Sequence, residues 1–290
     1  LACMKRARDF ARGSVSDWWR SMRSKLVGTR NLCAAAEAIE NLRDCQSTNS
    51  APCLLIDGIA GTGKTSSAKM LAKQYGGVYF SACELETAHS LLSGLLNALV
   101  GWRVEQLHSY TLRQRLLDEL EGNGWPLIFL DEVDRLDRNR NGVNLLELVR
   151  DLIDHGRSPV IMFSIARLAR RLANPTGYGA ALSSRIVAHL RFERASLDDA
   201  RLLASELLES VSFDDGLLAD LLAVSGGSMR PLMRLFGEAE ALARAAKISL
   251  LSAAKFKQLA QFAGRPALAV VTPARGEKSR EAGARLSDVA

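Results

Sequence analysis

Cys53-Leu54-Leu55-Ile56-Asp57-Gly58-Ile59-Ala60-Gly61-Thr62-Gly63-Lys64-Thr65 is the stretch on which the reading of this 290-residue chain turns. Its first four residues are an apolar run of the kind that forms a buried strand. The last eight, Gly58 to Thr65, satisfy the phosphate-binding pattern GxxxxGK followed by Ser or Thr, and the chain continues from Ser66 to Gln74 as a helix. The bare pattern arises by chance in unrelated chains, so its place between strand and helix gives it weight. Glycines let the backbone turn its N–H groups toward phosphate oxygens, and the helix N-terminus behind them favours anions. Gly58, Ala60, Gly61, Thr62, Gly63, Lys64, Thr65 and Ser66 are therefore the candidate nucleotide-binding residues. Lys64 would reach the β- and γ-phosphates, and the Thr65 hydroxyl would ligate Mg²⁺.

A second stretch completes the chemistry. Leu127-Ile128-Phe129-Leu130-Asp131-Glu132 is an apolar run ending in two carboxylates, entered through Gly124-Trp125-Pro126. Alone, such a run is a strand leaving a core. Beside a phosphate loop, Asp131 is the candidate for the Mg²⁺ shell and Glu132 for polarising the attacking water, so ATP hydrolysis becomes the leading expectation, with ATP and Mg²⁺ as its cofactors.

Composition agrees with a folded, ordinary domain: hydrophobic residues make up 48% and charged residues 24%, enough to bury a core. The five cysteines, at 3, 33, 45, 53 and 83, form no CxxC pair, and the four histidines, at 89, 108, 155 and 189, are scattered. A reducing compartment with free thiols is expected, and no metal beyond the nucleotide's Mg²⁺. No apolar run approaches a membrane span, so no membrane partner is expected, and the location read is the cytoplasm, of a bacterium or a phage-infected host. The net charge of +6 is uneven. Residues 1–30 hold eight basic side chains against two acidic ones, leaving 30 of each sign elsewhere. This basic arm suits a polyanionic partner, and its Trp18 and Trp19 are expected to dock it onto the core.

Periodicity places a short helix near 17–26 and a helix over 31–43, then strands near 53–57, 77–81, 126–131, 159–164 and 188–192. Helices near 64–75, 87–100, 109–121 and 143–155 alternate with them, which predicts an α/β fold with a parallel five-stranded sheet covered on both faces. After Arg194 the pattern is helical. Ser196-Leu197-Asp198-Asp199 reads as a capping box, helices follow to about 209, over 214–224, 228–246 and 252–262, and Gly226-Gly227 stops the second of them. The expected organisation is a basic N-terminal arm over 1–28, a nucleotide-binding core over 29–194, a small all-helical lid over 195–263 and a flexible tail over 264–290.

With strand–loop–helix, an apolar run ending in Asp-Glu, and a helical lid in one chain, residues 29–262 resemble the AAA+ ATPases, whose active sites form between neighbouring subunits. The resemblance assigns further residues. Leu182-Ser183-Ser184-Arg185-Ile186 is similar to the arginine-finger box of the origin-recognition and transposition branches, so Arg185 would reach the γ-phosphate of the next protomer. Gly226-Gly227-Ser228-Met229-Arg230 is similar to the lid's sensor-2 motif, so Arg230 would contact the γ-phosphate of its own subunit. The fourth strand, Pro159 to Ser164, should end in a polar sensor residue, here Ser164; its short hydroxyl implies slow hydrolysis without a stimulator. The small lid and the Thr29-Arg30-Asn31 entry look most like the transposition target-selection ATPases of the Mu phage B type. That resemblance implies ATP-dependent, largely sequence-nonspecific binding of duplex DNA, a ring or helical filament of identical subunits, and delivery of the DNA to a transposase. An origin-recognition or helicase-loading ATPase, a secretion-associated ATPase and a protein-binding signalling NTPase remain open alternatives. No groove-reading helix is identifiable, and phosphate contacts with salt-sensitive affinity are the physical expectation.

Overall fold

The computed structural model describes residues 27–44, 52–103, 107–137, 145–172 and 180–262. The N-terminal arm up to residue 26, with its helix and its tryptophans, and the tail from 263 onward lie outside the described residues. The α/β architecture expected from the alternation is found. Five parallel strands, β1 (Cys53–Gly58), β2 (Val78–Ser81), β3 (Ile128–Asp131), β4 (Val160–Ser164) and β5 (Ile186–Phe192), lie in the order β2-β3-β4-β1-β5. β1 thus sits between β4 and β5, with Asp57 opposite Ser164 on one side and Arg191 on the other.

The sheet is held by two apolar layers, one per face, because successive strand residues point to opposite sides. Leu54, Ile56, Phe129, Ile161 and Phe163 pack with Leu32, Ala35 and Ile39 of α1 (Arg30–Asp44) and Ala68 and Leu71 of α2 (Lys64–Gln74). Cys53, Leu55, Ile128, Leu130, Val160 and Met162 face the other way. They meet α3 (Ala88–Val100) through Leu91 and Leu95 and α4 (Ser109–Gly122) through Leu112 and Leu116. Short α5 (Asp134–Asp137) precedes α6 (Leu145–Gly156), which joins the same layer through Val149 and Ile153. With both faces covered, β1, β3 and β4 are buried at every residue.

Between β4 and β5 lie α7 (Ala166–Leu172) and α8 (Ala180–Ser183). These and α5 escaped the periodicity because elements of four to seven residues are too short to show one. β5 starts two residues earlier than its apolar pattern suggests. Val187 is 60% exposed at this edge of the sheet, and Ala188 and His189 are exposed beside it, so burial does not mark its beginning.

Residues 197–262 gather around their own apolar cluster. The capping box is formed: Ser196 Oγ accepts from the Asp199 N–H, Asp199 accepts from the Ser196 N–H, and α9 (Leu197–Leu207) follows. Asp214 caps α10 (Asp215–Ser225), which ends on left-handed Gly226; the Gly227 N–H then donates to the Leu222 carbonyl. α11 (Met229–Ala245) and α12 (Ala253–Phe262) complete the four helices. After α9 and again after α11 the chain adds a feature periodicity did not show, the two-residue parallel strands β6 (Ser212–Phe213) and β7 (Leu250–Leu251). Val27 is buried in this cluster as well, so the chain entering α1 runs beneath the helical unit.

Candidate functional site

The loop between β1 and α2 has a backbone that only glycine serves well. Gly61 (φ 85°) and Gly63 (φ 92°) are left-handed, and Gly63 is the N-cap of α2 with no side-chain cap, so the first N–H groups of that helix face the loop. A Cβ at Gly58 would come 2.8 Å from the Phe192 carbonyl oxygen of β5, and one at Gly61 would fall on the Ser228 hydroxyl. Thr62 is buried and its hydroxyl donates to the Ile59 carbonyl at 3.0 Å, bracing the turn from inside. Ala60, Thr65 and Ser66 are exposed at its surface. The Lys64 ammonium donates to the carbonyls of Gly58 (2.6 Å) and Ile59 (2.8 Å). Burial holds its pKa below the ordinary lysine value, opposed by the carboxylates of Asp131, Asp134, Asp57 and Glu132, in that order.

At the end of β3, Asp131 is almost wholly buried. One carboxylate oxygen accepts from the Glu132 N–H (2.9 Å) and the other from the Tyr79 hydroxyl (3.0 Å). Burial and that carboxylate push the Tyr79 phenol well above its ordinary range, so it stays a donor. Glu132 follows with φ 55°, uncommon for a residue with a side chain, and its carboxylate pairs with Arg135. Ser164 is buried at the end of β4, and its hydroxyl donates to the Ile165 carbonyl at 3.3 Å. Asp57 is 3% exposed and lies 3.1 Å from His189 Nε2, close but without the alignment of a hydrogen bond.

Other elements close on this loop. The N–H of Met229, the first residue of α11, donates to the Gly61 carbonyl at 2.8 Å. Arg230 follows with an exposed side chain that pairs with no described residue. At the start of α1, Asn31 Nδ2 donates to the carbonyls of Glu193 (2.8 Å) and Thr62 (3.4 Å), while the Arg30 N–H donates to Asp199 (2.8 Å). One turn of helix thereby ties together the phosphate loop, the end of β5 and α9.

Arg185 is elsewhere. Its carbonyl accepts from the Cys53 N–H at the N-terminal end of β1, whereas the phosphate loop leaves the other end, roughly 17 Å along the strand. Its guanidinium makes a two-pronged pair with Asp154 (2.9 and 3.1 Å) and also donates to the Ala181 carbonyl and the Ser184 hydroxyl.

Residues 46–172 match the family model for an AAA domain. Among solved structures, the chain is similar to the Aeropyrum pernix ORC2 protein in its ADPNP–ADP complexes, at 17% identity and TM-score 0.62, covering 82% of this chain and 70% of that one. It is also similar to the Aeropyrum pernix ORC1 protein in complex with DNA, at 19% identity and TM-score 0.57, covering 80% of this chain and 64% of that one. A third likeness is to the Thermotoga maritima RuvB Holliday junction branch migration motor, at 16% identity and TM-score 0.53, with 81% and 69% covered. The fold is that of the AAA+ P-loop NTPases. No curated protein matches the sequence. The chain spans about two thirds of the length of these AAA+ structures.

Within the AAA+ fold, the residues present fit a nucleotide with Mg²⁺. The Gly61 and Gly63 cradle is one that a Cβ would strain or fill, and the Thr65 hydroxyl and Asp131 carboxylate are the hard oxygens Mg²⁺ takes. Sequence reasoning missed Tyr79, which sits in an apolar strand and reads as a core aromatic. It also missed the Arg135 contact to Glu132, although a separation of three residues across the turn was a usable signal. The Asn31 bridge had no local signal, since its partners lie 31 and 162 residues away.

Proposed function

We propose that this chain is an ATPase that acts on duplex DNA as an assembly of identical subunits, and that it delivers DNA to a transposase. One observation carries the ATPase part: the phosphate loop, the Asp131–Glu132 strand end and the first turn of α11 converge on one place. Lys64 would leave its loop carbonyls for phosphate oxygens while the N–H groups at the start of α2 hold the same phosphates. Glu132 would accept a proton from the water as its oxygen bonds to the γ-phosphorus; the bridging bond from that phosphorus breaks, releasing ADP and phosphate. Bound Mg²⁺, held by Thr65 and Asp131, would supply charge neutralisation on the phosphates. Arg230, beside the loop at the head of α11, would add positive charge from the same subunit. Arg185 lies a strand's length from its own loop, which supports a role toward a neighbouring subunit's nucleotide and requires that it leave Asp154.

The DNA part is supported by the likeness to a structure of ORC1 in complex with DNA and to a branch migration motor, and by the basic arm in the sequence. A second reading, an origin-recognition or helicase-loading ATPase, is favoured by the likeness to two origin-recognition structures. Electron microscopy of the protein with ATP and linear duplex DNA separates the two. A continuous helical filament on random sequence supports the target-delivery reading; discrete particles at defined sites support the other.

A further inference from the structure

We infer that α7 and the exposed face of β5 form a surface that holds the phosphate backbone of duplex DNA, with Arg167, Arg170, Arg171 and Arg191 as the gripping residues. This rests on the reading that the chain acts on duplex DNA, and it names a contact surface besides the basic arm. From His155 to Phe192 the sequence carries six arginines, at 157, 167, 170, 171, 185 and 191, and no aspartate or glutamate. Arg157, ahead of β4, and Arg185, ahead of β5, lie at the end of the sheet away from the phosphate loop. The other four gather. Arg167, Arg170 and Arg171 stand three and four apart on α7, so their exposed side chains share one face while Leu168, Ala169 and Leu172 are buried beneath.

α7 packs on β1 and β4, and its buried residues join the apolar layer that holds Cys53 and Leu55 of β1. His189 Nε2 lies 3.1 Å from Asp57, which shares that side of β1, so the exposed His189 and Arg191 of the edge strand face the same way beside the helix. α2 covers the opposite face, which separates this surface from the nucleotide site of the same subunit. The acids beside it are buried or engaged elsewhere. Asp57 is buried, Asp134 accepts from the Ile165 N–H (3.4 Å), and Glu193 pairs with Arg30 (2.8 Å). Among the described residues Arg167 and Arg191 enter no ion pair, whereas Arg113, Arg185 and Arg201 each have a carboxylate partner. Three like charges on one short helix repel one another, and a bound polyanion offsets that repulsion. Guanidinium suits phosphate in particular, because its planar fork of donors matches two oxygens at once.

The test is fluorescence anisotropy of labelled duplexes of unrelated sequence, with ATP and over a salt series, for the parent, Arg167→Gln/Arg170→Gln, Arg167→Lys/Arg170→Lys and Arg157→Gln. Each protein is also titrated with a fluorescent ATP analogue, and its ATP-driven assembly without DNA is followed by sedimentation. The Gln pair should bind every duplex about tenfold more weakly and flatten the slope of log affinity against log salt by about 1.8 per bound subunit, the value for two phosphate contacts. The Lys pair, which keeps both charges, should retain most of the slope, and Arg157→Gln should match the parent. Analogue affinity and assembly should be those of the parent throughout. Unchanged duplex affinity and slope in the Gln pair overturns the inference. Loss of ATP-driven assembly in the Gln pair without DNA also overturns it, by assigning the surface to contact with a second copy of the chain. A parent that binds no duplex at low salt with ATP removes the DNA reading beneath it as well.

Discussion

The proposed function gives the charges of Lys64 and Glu132 different work beside one loop, and substitution separates them. Lys64→Ala should weaken binding of a fluorescent ATP analogue by at least about tenfold, through loss of a charge-assisted contact to phosphate. Glu132→Gln should keep affinity within about threefold while losing about a hundredfold or more in turnover, the usual scale for a general base. Equal analogue affinity in Lys64→Ala and the parent would contradict the assignment. Gly61 is a sharper structural probe. Alanine there meets both a φ of 85° and the Ser228 hydroxyl, so Gly61→Ala should cost about 1–3 kcal/mol in chemical denaturation. Adding Ser228→Gly should recover only part of that, because the backbone strain remains. Full recovery would show that the steric contact is the entire cost.

Among elements, α11 is the one whose position depends most directly on the loop. Its first N–H donates to the Gly61 carbonyl, so a phosphate bound at that loop should be felt at the helix head. ATP should slow amide exchange at residues 228–230 and 232 relative to the protein without nucleotide. Arg230→Ala should abolish most of that protection; protection unchanged in Arg230→Ala would place the coupling in the Met229–Gly61 bond alone. The order of elements was legible in sequence: alternating runs gave the strands and the longer helices within two residues or so, and the capping box at Ser196 was formed as read. The short helices and the β6–β7 pair were not legible, because four to seven residues, or two, establish no period. Tyr79 was hidden for a different reason. An aromatic in an apolar strand reads as core, and only the neighbouring strand reveals that its hydroxyl meets Asp131.

Across the whole molecule the decisive fact is the separation of Arg185 from its own phosphate loop. If Arg185 serves a neighbour, mixing Arg185→Ala with Lys64→Ala subunits should restore some ATPase activity, since one mixed interface pairs an intact loop with an intact arginine. No recovery at any ratio, with mixed assembly confirmed, would assign Arg185 a structural role through Asp154. ATP bridging subunits in this way should also create a multivalent surface for DNA. Filter binding over a salt series should then show ATP-dependent retention of random duplex that falls steeply with salt. Removing residues 1–26, short of the buried Val27, should flatten that salt slope and leave nucleotide affinity unchanged. Binding that ignores nucleotide would favour the protein-binding switch reading instead.

The sequence by itself determined what short-range pattern and chain order can carry: a parallel α/β sheet, a glycine loop between a buried strand and a helix, two acids at a later strand's end, and a helical unit after them. Those features follow from side-chain period, glycine's backbone freedom and capping chemistry, all of which act within a few residues. Tertiary structure alone decided the order β2-β3-β4-β1-β5, the meeting of Gly61 with Ser228, the hydroxyl of Tyr79 on Asp131, and the pairing of Arg185 with Asp154. Each depends on segments far apart in the chain becoming neighbours, and that choice is made by which apolar faces bury one another most completely, a property no single stretch contains.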